Sequence, residues 1–248
     1  FTGSEGEPIA TSDNAIYIFK GTGQATADSS APVETRAAIT KDEQGNPIQP
    51  GRRGTNMVTY SQDGSLAFVA AWKNREIYVV DMMTRSIVYT IPVASGQGEI
   101  SGLVTHDGWL YVSLQSDAAY LSTVKSFADE IGGGLMRINI DRTSPQFFEQ
   151  EQGLSGLPGG NQIKGGFESI AINDNSYMAA TSLSGRIDFI DLNSIDENGK
   201  VANAISVGAE IYQSPRFDDA TWNVVSGKEP GQFVVTNVHA VDHGVTTI

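Results

Sequence analysis

The chain has 248 residues, 40% of them hydrophobic and 18% charged, which excludes a disordered chain and allows one large domain or two small ones. Cysteine is absent, so disulfides, thiolate metal sites and a cysteine nucleophile are excluded. A net charge of −13 repels phosphate and argues against nucleic acid, and the longest apolar run, Leu66–Trp72, falls far short of the roughly 20 residues that a transmembrane helix needs.

The first unit, about residues 1–40, opens on a strand at Pro8–Thr11, followed by Ile16-Tyr17-Ile18-Phe19-Lys20. Thr40–Gly54 reads as a connection. It holds an acidic turn, Asp42-Glu43-Gln44-Gly45-Asn46, and the pair Arg52-Arg53. The second unit, 55–93, is the clearest. Val58–Tyr60 and Leu66–Val69 flank a turn at Asp63-Gly64, and Asp-Gly between β-formers is a strong hairpin signal because glycine tolerates positive φ. Ile77-Tyr78-Val79-Val80 ends in Asp81, whose carboxylate can bond backbone two residues on and start the next turn. Ile87–Val93 supplies the fourth strand.

The third unit, 100–150, repeats the hairpin about Asp107-Gly108 and the strand ending in Asp, Ile138–Asp141. His106 reads as a solvated turn residue. Between them, Gln115–Gly134 is a long insertion. Leu121, Val124, Phe127, Ala128 and Ile131 keep helical spacing, Ser116 or Asp117 can cap, and Gly132 can stop, which predicts one short helix over Asp117–Ile131. Glu149–Gly166 reads as a connection. The fourth unit, 167–207, has its hairpin at Asp174-Asn175 and its terminal Asp at Asp191, followed by an acidic turn over Asn193–Lys200. Neither acidic turn has the spacing of a calcium loop, and both read as solvated turns. The fifth unit, 221–248, has a fainter hairpin about Pro230-Gly231 and ends on Val245–Ile248.

Four strands per unit, A to D, at a period of roughly 40–50 residues mark an all-β protein, a β-propeller portion of four-stranded antiparallel blades. The inner strands are expected near 57–61, 101–105, 169–172 and 222–225. Residues 1–248 form a single propeller domain or a fragment of one. Because the first unit lacks strand A and the fifth lacks D, the visible four to five blades are expected to be part of a larger ring.

Ser61–Val93, with its hairpin, its strand ending in Asp81 and its closing Ile91-Pro92-Val93, resembles a YVTN-type bacterial or archaeal β-propeller repeat, and Phe233-Val234-Val235-Thr236-Asn237 is close to the motif that names it. The resemblance implies a surface or secreted protein, with the periplasm as the alternative compartment, and no single activity.

The A–B turns are tight, and so are the C–D turns apart from Asn193–Lys200. The D–A and B–C connections are long. In repeat folds long insertions gather on the binding face, so a protein or glycan ligand is expected there. Arg52, Arg53, Lys73 and Arg75 are the densest basic cluster of this acidic chain. With Trp72 and Tyr120 they form the candidate ligand-binding set, since guanidinium groups accept bidentate anions and indoles stack on sugars, peptides and cations. His239, Asp242 and His243 are the metal candidates, because two histidines and a carboxylate can make a facial site. No other cofactor is expected. Dinucleotide, P-loop and nucleophile-elbow motifs are absent. The expected function is a noncatalytic ligand-binding or adhesion module of a larger extracellular protein. The alternatives are a lactonase-like or cofactor-bearing propeller enzyme and a purely structural scaffold.

Overall fold

In the computed structural model the described residues are 9–12, 15–19, 35–48, 57–71, 75–93, 99–115, 131–148, 151–158, 163–164, 166–182, 186–207, 220–238 and 243–247. The chain divides into two compact units, Phe1–Ala94 and Ser95–Ile248.

The first unit holds two antiparallel sheets. Strands β1 (Ile9–Ser12), β2 (Ala15–Phe19) and β3 (Thr35–Ile39) form one, in that order. Strands β4 (Val58–Tyr60), β5 (Leu66–Ala71), β6 (Glu76–Asp81) and β7 (Ser86–Pro92) form the other. Side chains two apart share a face of a strand. Ile16 and Ile18 therefore meet Ala67, Val69 and Ala71 of β5 and Tyr78 and Val80 of β6 in one core. Each fully buried Ile or Val contributes about 1.5–3 kcal/mol.

The second unit begins with β8 (Glu99–His106) and β9 (Trp109–Gln115), joined by Asp107-Gly108, both at positive φ as a two-residue hairpin turn requires. Next come β10 (Ile131–Gly132), β11 (Gly134–Asn139), β12 (Glu151–Gly153) and β13 (Ile163–Lys164). Then follow β14 (Phe167–Ile172), β15 (Tyr177–Ser182), β16 (Ile187–Asp191), β17 (Ala204–Val207), β18 (Ala220–Ser226), β19 (Phe233–Val238) and β20 (His243–Thr247). Strands β8, β9, β11 and β12 make the third sheet, β14 to β17 the fourth, β18 to β20 the fifth, and β10 pairs with β13 as a short ribbon. Strand β14 packs beside both β8 and β18, so the first strands of successive sheets adjoin and are the inner strands, as expected. One core, with Leu135, Phe167, Met178 and Ile190, lies between the third and fourth sheets. A second, with Ile187, Val224, Phe233 and Val235, lies between the fourth and fifth.

Several details differ from expectation. The third unit runs past Gln150, because its fourth strand is β12, within the supposed connection 149–166; Gly153 pairs with Met136 there. Short and polar, Glu151-Gln152-Gly153 carries no strand signal of its own and is held by the ladder of β11. Ile131 is not helical: it pairs with Lys164. Close approach of backbones sets this geometry, since a Cβ on Gly133 would lie 2.2 Å from the Leu114 carbonyl oxygen. Residues 116–130, where the helix was expected, lie outside the described ones. The described residues contain no α-helix, and a 3-10 turn stands at Leu192–Ser194. Between β2 and β3 the connection spans residues 20–34, so the short C–D turns are not uniform.

The recurring Asp does what its position predicts. Asp81 accepts from the N–H groups of Met83 (2.9 Å) and Thr84 (2.8 Å). Asp141 accepts from the N–H of Thr143 (2.8 Å) and Asp191 from that of Asn193 (3.0 Å). The hydroxyl and then the N–H of Thr143 hold the Asp141 carboxyl below its ordinary 3.8. For Asp196 the N–H of Lys200 does this first, outweighing the effect of burial.

The acidic turns are capped by their own carboxylates, as with Asp42 to the N–H groups of Gln44 and Asn46. The turn after β16 also clamps the third sheet to the fourth. Arg137 of β11, buried and 4.0 Å from the Trp109 ring, donates to Gln152 Oε1 (2.8 Å) and the Asp196 carbonyl (2.6 Å). Ser155 N–H donates to the Gly199 carbonyl (3.0 Å), and Val201 N–H to that of Ser155 (2.8 Å). Gly156 completes the clamp at φ +77°, where a Cβ would stand 2.5 Å from the Val201 carbonyl oxygen.

Gly156→Ala is therefore expected to destabilise the protein by about 2 kcal/mol in urea unfolding, through strain and the collision with Val201. Depressed carboxyls stabilise the folded state fully above their unfolded values and lose that contribution as pH falls through the folded ones. Asp141→Asn/Asp196→Asn is expected to show a shallower acid dependence of the urea midpoint below about pH 4 than the parent.

Candidate functional site

Each inner strand of the second unit carries a bulge at the same level. The register shifts between Ile100 and Gly102 in β8, Phe167 and Ser169 in β14, and Thr221 and Asn223 in β18. A bulge leaves one residue unpaired and re-aims its side chain. Here the extra residues are Ser101, Glu168 and Trp222, and Ser101 and Glu168 are buried. The bulges also link neighbours. Ser101 donates its hydroxyl to the Phe167 carbonyl and lies 3.0 Å from Ser113 Oγ. Ser169 donates to Asn223 Oδ1 (2.7 Å). Gly102 permits this closeness, because a Cβ there would be 2.7 Å from Ser113 Oγ.

Buried polar groups gather at this end of the sheets. Ser113 and Gln115 close β9, and Thr181 and Ser182 close β15, all four fully covered. Thr181 donates to the Ser169 carbonyl. Beside them, Arg186 and Asp188 form a buried two-pronged ion pair, Nε to Oδ1 at 2.7 Å with Nη2 on Oδ2, and Ser206 donates its hydroxyl to the same carboxylate. Burying such charges is costly and tolerable only with complete pairing. This is the end from which the B–C and D–A connections leave.

The opposite, A–B end is closed by tight turns bonded to one another. His106 is not merely solvated: its Nε2 lies 3.1 Å from Ser176 Oγ of the next sheet's turn, and Asn173 Nδ2 donates to the Gly231 carbonyl (3.0 Å).

Of the residues singled out in the sequence, Arg52, Arg53, Trp72, Lys73, Tyr120, His239 and Asp242 lie outside the described ones. Arg75, half-buried at φ +56°, opens the turn into β6, and its carbonyl accepts from Val93 N–H (2.8 Å). His243 is the first residue of β20. Among the described residues no three His, Asp or Glu side chains converge as metal ligands. Sequence reading missed Ser101, Glu168, Arg186 and Asp188. A signal existed for the last two, since Arg-x-Asp at alternate positions puts both charges on one face of a strand.

No protein-family model matches the sequence, and no curated protein matches it. Solved structures do. Kuenenia stuttgartiensis hydrazine synthase aligns with a TM-score of 0.58 at 15% identity, over 95% of this chain and 56% of that one. The β-propeller domain of Myceliophteria thermophila Cps50 (Swd1) gives 0.55 at 11%, over 96% and 65%. Chaetomium thermophilum Sqt1 bound to the N-terminus of the ribosomal protein L10 gives 0.55 at 12%, over 92% and 52%. The chain is a β-propeller. It spans between about half and two thirds of the length of these neighbours. An enzyme and peptide-bound Sqt1 share the fold, so the fold does not choose a function.

Removing one member of the Arg186–Asp188 pair strands a buried charge. Arg186→Met is expected to cost about 3–5 kcal/mol, and Arg186→Met/Asp188→Leu distinctly less, in a double-mutant cycle by chemical denaturation.

Proposed function

We propose that this chain is a noncatalytic binding module that holds a protein segment or a glycan at the B–C and D–A ends of its blades. The observation that carries this is the asymmetry of the second unit: buried hydroxyl, amide and carboxylate groups and three aligned bulges at one end, tight mutually bonded turns at the other. Bulges and long connections cluster where side chains are aimed at ligands. The neighbour Sqt1 bound to a ribosomal protein N-terminus supports a polypeptide as ligand. On the YVTN-type resemblance of Ser61–Val93 we further propose that the module belongs to a larger surface or secreted protein.

The test uses two variants. Arg52→Ala/Arg53→Ala/Trp72→Ala alters the basic and aromatic set of the first unit, and Glu168→Gln the carboxylate of the second. Parent and variants are measured on a glycan array and on intact bacterial cells. The parent is expected to bind, and at least one variant to lose about tenfold in affinity at unchanged melting temperature. Undiminished binding by both would remove these ends from consideration.

A further inference from the structure

The turn that ties the third sheet to the fourth holds the one Asn-Gly step of the sequence, Asn198-Gly199. Asparagine before glycine is where a backbone nitrogen most readily attacks a side-chain carboxamide, because glycine puts no side chain in the way. The fold itself demands that glycine. Gly199 stands at φ +80°, and a Cβ there would lie 2.9 Å from the Gly153 carbonyl oxygen. Asn198 is exposed. Every other asparagine of the sequence precedes a residue with a side chain. Asp63-Gly64 and Asp107-Gly108 share the glycine but offer a carboxylate, a poorer electrophile than a carboxamide.

The same turn is held closed. The attacking atom is the Gly199 nitrogen, whose N–H donates to the Asp196 carbonyl (3.1 Å), and Gly199 is buried. Asp196 Oδ1 accepts from the N–H groups of Asn198 and Lys200, both at 2.9 Å. The third sheet secures the turn from outside. Arg137 donates to the Asp196 carbonyl, Gln152 Nε2 to that of Glu197, and Ser155 N–H to that of Gly199. A nitrogen engaged in this way attacks only after local opening, and opening here breaks bonds between sheets as well as within the turn.

We propose that Asn198 is a self-modification site whose reaction is gated by this tie. In the opened turn the Gly199 nitrogen bonds to Asn198 Cγ. The Cγ–N bond of the carboxamide breaks, and ammonia leaves with the proton that the Gly199 nitrogen gave up. The cyclic imide then takes up water. Water entering at the main-chain carbonyl yields isoaspartate, in which the main chain runs through the former side-chain Cβ and the old main-chain carbonyl becomes a carboxylate. No atom is oxidised or reduced. The product carries an extra carbon in its backbone just before Gly199. That carbon displaces Gly199 from its close fit on the Gly153 backbone and its carbonyl from Ser155, so the tie between the sheets is not restored. The reaction is one-way, and each opening of the turn gives it a chance to occur.

The full chain is aged in mildly alkaline buffer, folded and in guanidinium chloride. Peptide mapping by mass spectrometry follows the mass gain at each asparagine, and enzymatic methylation of isoaspartyl carboxyls counts the rearranged product. In the folded chain Asn198 is expected to react faster than every other asparagine, and in the unfolded chain at least about tenfold faster again, because the turn no longer hides the nitrogen. Gln152→Ala, which removes one tie from the third sheet, is expected to raise the folded-state rate at least about twofold. Aged parent is then expected to unfold at a lower urea concentration than aged Asn198→Gln, whose longer side chain closes a ring far more slowly. Asn198→Asp adds the charge without the extra carbon, and as an exposed substitution it should keep the midpoint of fresh parent. The proposal is overturned if Asn198 reacts no faster than the other asparagines of the folded chain, or equally fast folded and unfolded. It is also overturned if Gln152→Ala leaves the rate unchanged, or if isoaspartate at 198 leaves the urea midpoint where aged Asn198→Gln has it.

Discussion

A short antiparallel sheet of apolar strands has two faces to bury and too little of its own chain to bury them. In the second unit that constraint is met by stacking sheet against sheet, so that the fourth sheet carries one core toward the third and another toward the fifth. Side chains alternate between the two: Ile190 belongs to one core and Ile187 to the other. Nearly every residue of β15 is therefore buried, and small residues such as Ala179 and Ala180 appear where two sheets approach closely.

Stacking by apolar faces alone would leave neighbouring sheets free to slide, because apolar contact is non-directional. Polar bonds between sheets restrain them at three levels. The A–B turns are joined through His106 and Asn173, the inner strands through the bulges at Ser101 and Ser169, and the outer strands through Arg137 and the turn at Asp196–Gly199. Arg137 joins two of the available stabilising modes, a guanidinium stacked on Trp109 and directional donors to Gln152 and a carbonyl.

The inner bulges carry the connection from stability to function. A regular inner strand would turn every second side chain into a core. One extra residue per strand, at one level, instead sets Ser101 and Glu168 among Ser113, Thr181 and Ser182. A polar stratum buried at that depth stabilises little by itself. Its concentration at the end with long connections, away from the tight turns, is what supports the proposal that a ligand binds at that end.

The strand order, the inner strands and the Asp-capped turns were legible in the sequence, because they depend on interactions two to five residues apart: alternation along a strand, positive φ at Gly108, a carboxylate reaching Thr143 from Asp141. The proposed site was legible only as an end of the blades. Of the residues that the sequence points to for ligand or metal, only Arg75 and the backbone of His243 fall among the described ones. What the sequence could not disclose depends on partners far along the chain. Strand β12 is defined by β11, and Ile131 by Lys164. Arg137 gives no hint that its acceptor is the carbonyl of Asp196. A bulge has no composition of its own, since it arises when an inner strand must satisfy its hairpin partner and the next inner strand at once. Local periodicity thus determined which segments are strands, and contacts between sheets decided their edges, their bulges and the polar groups they bury.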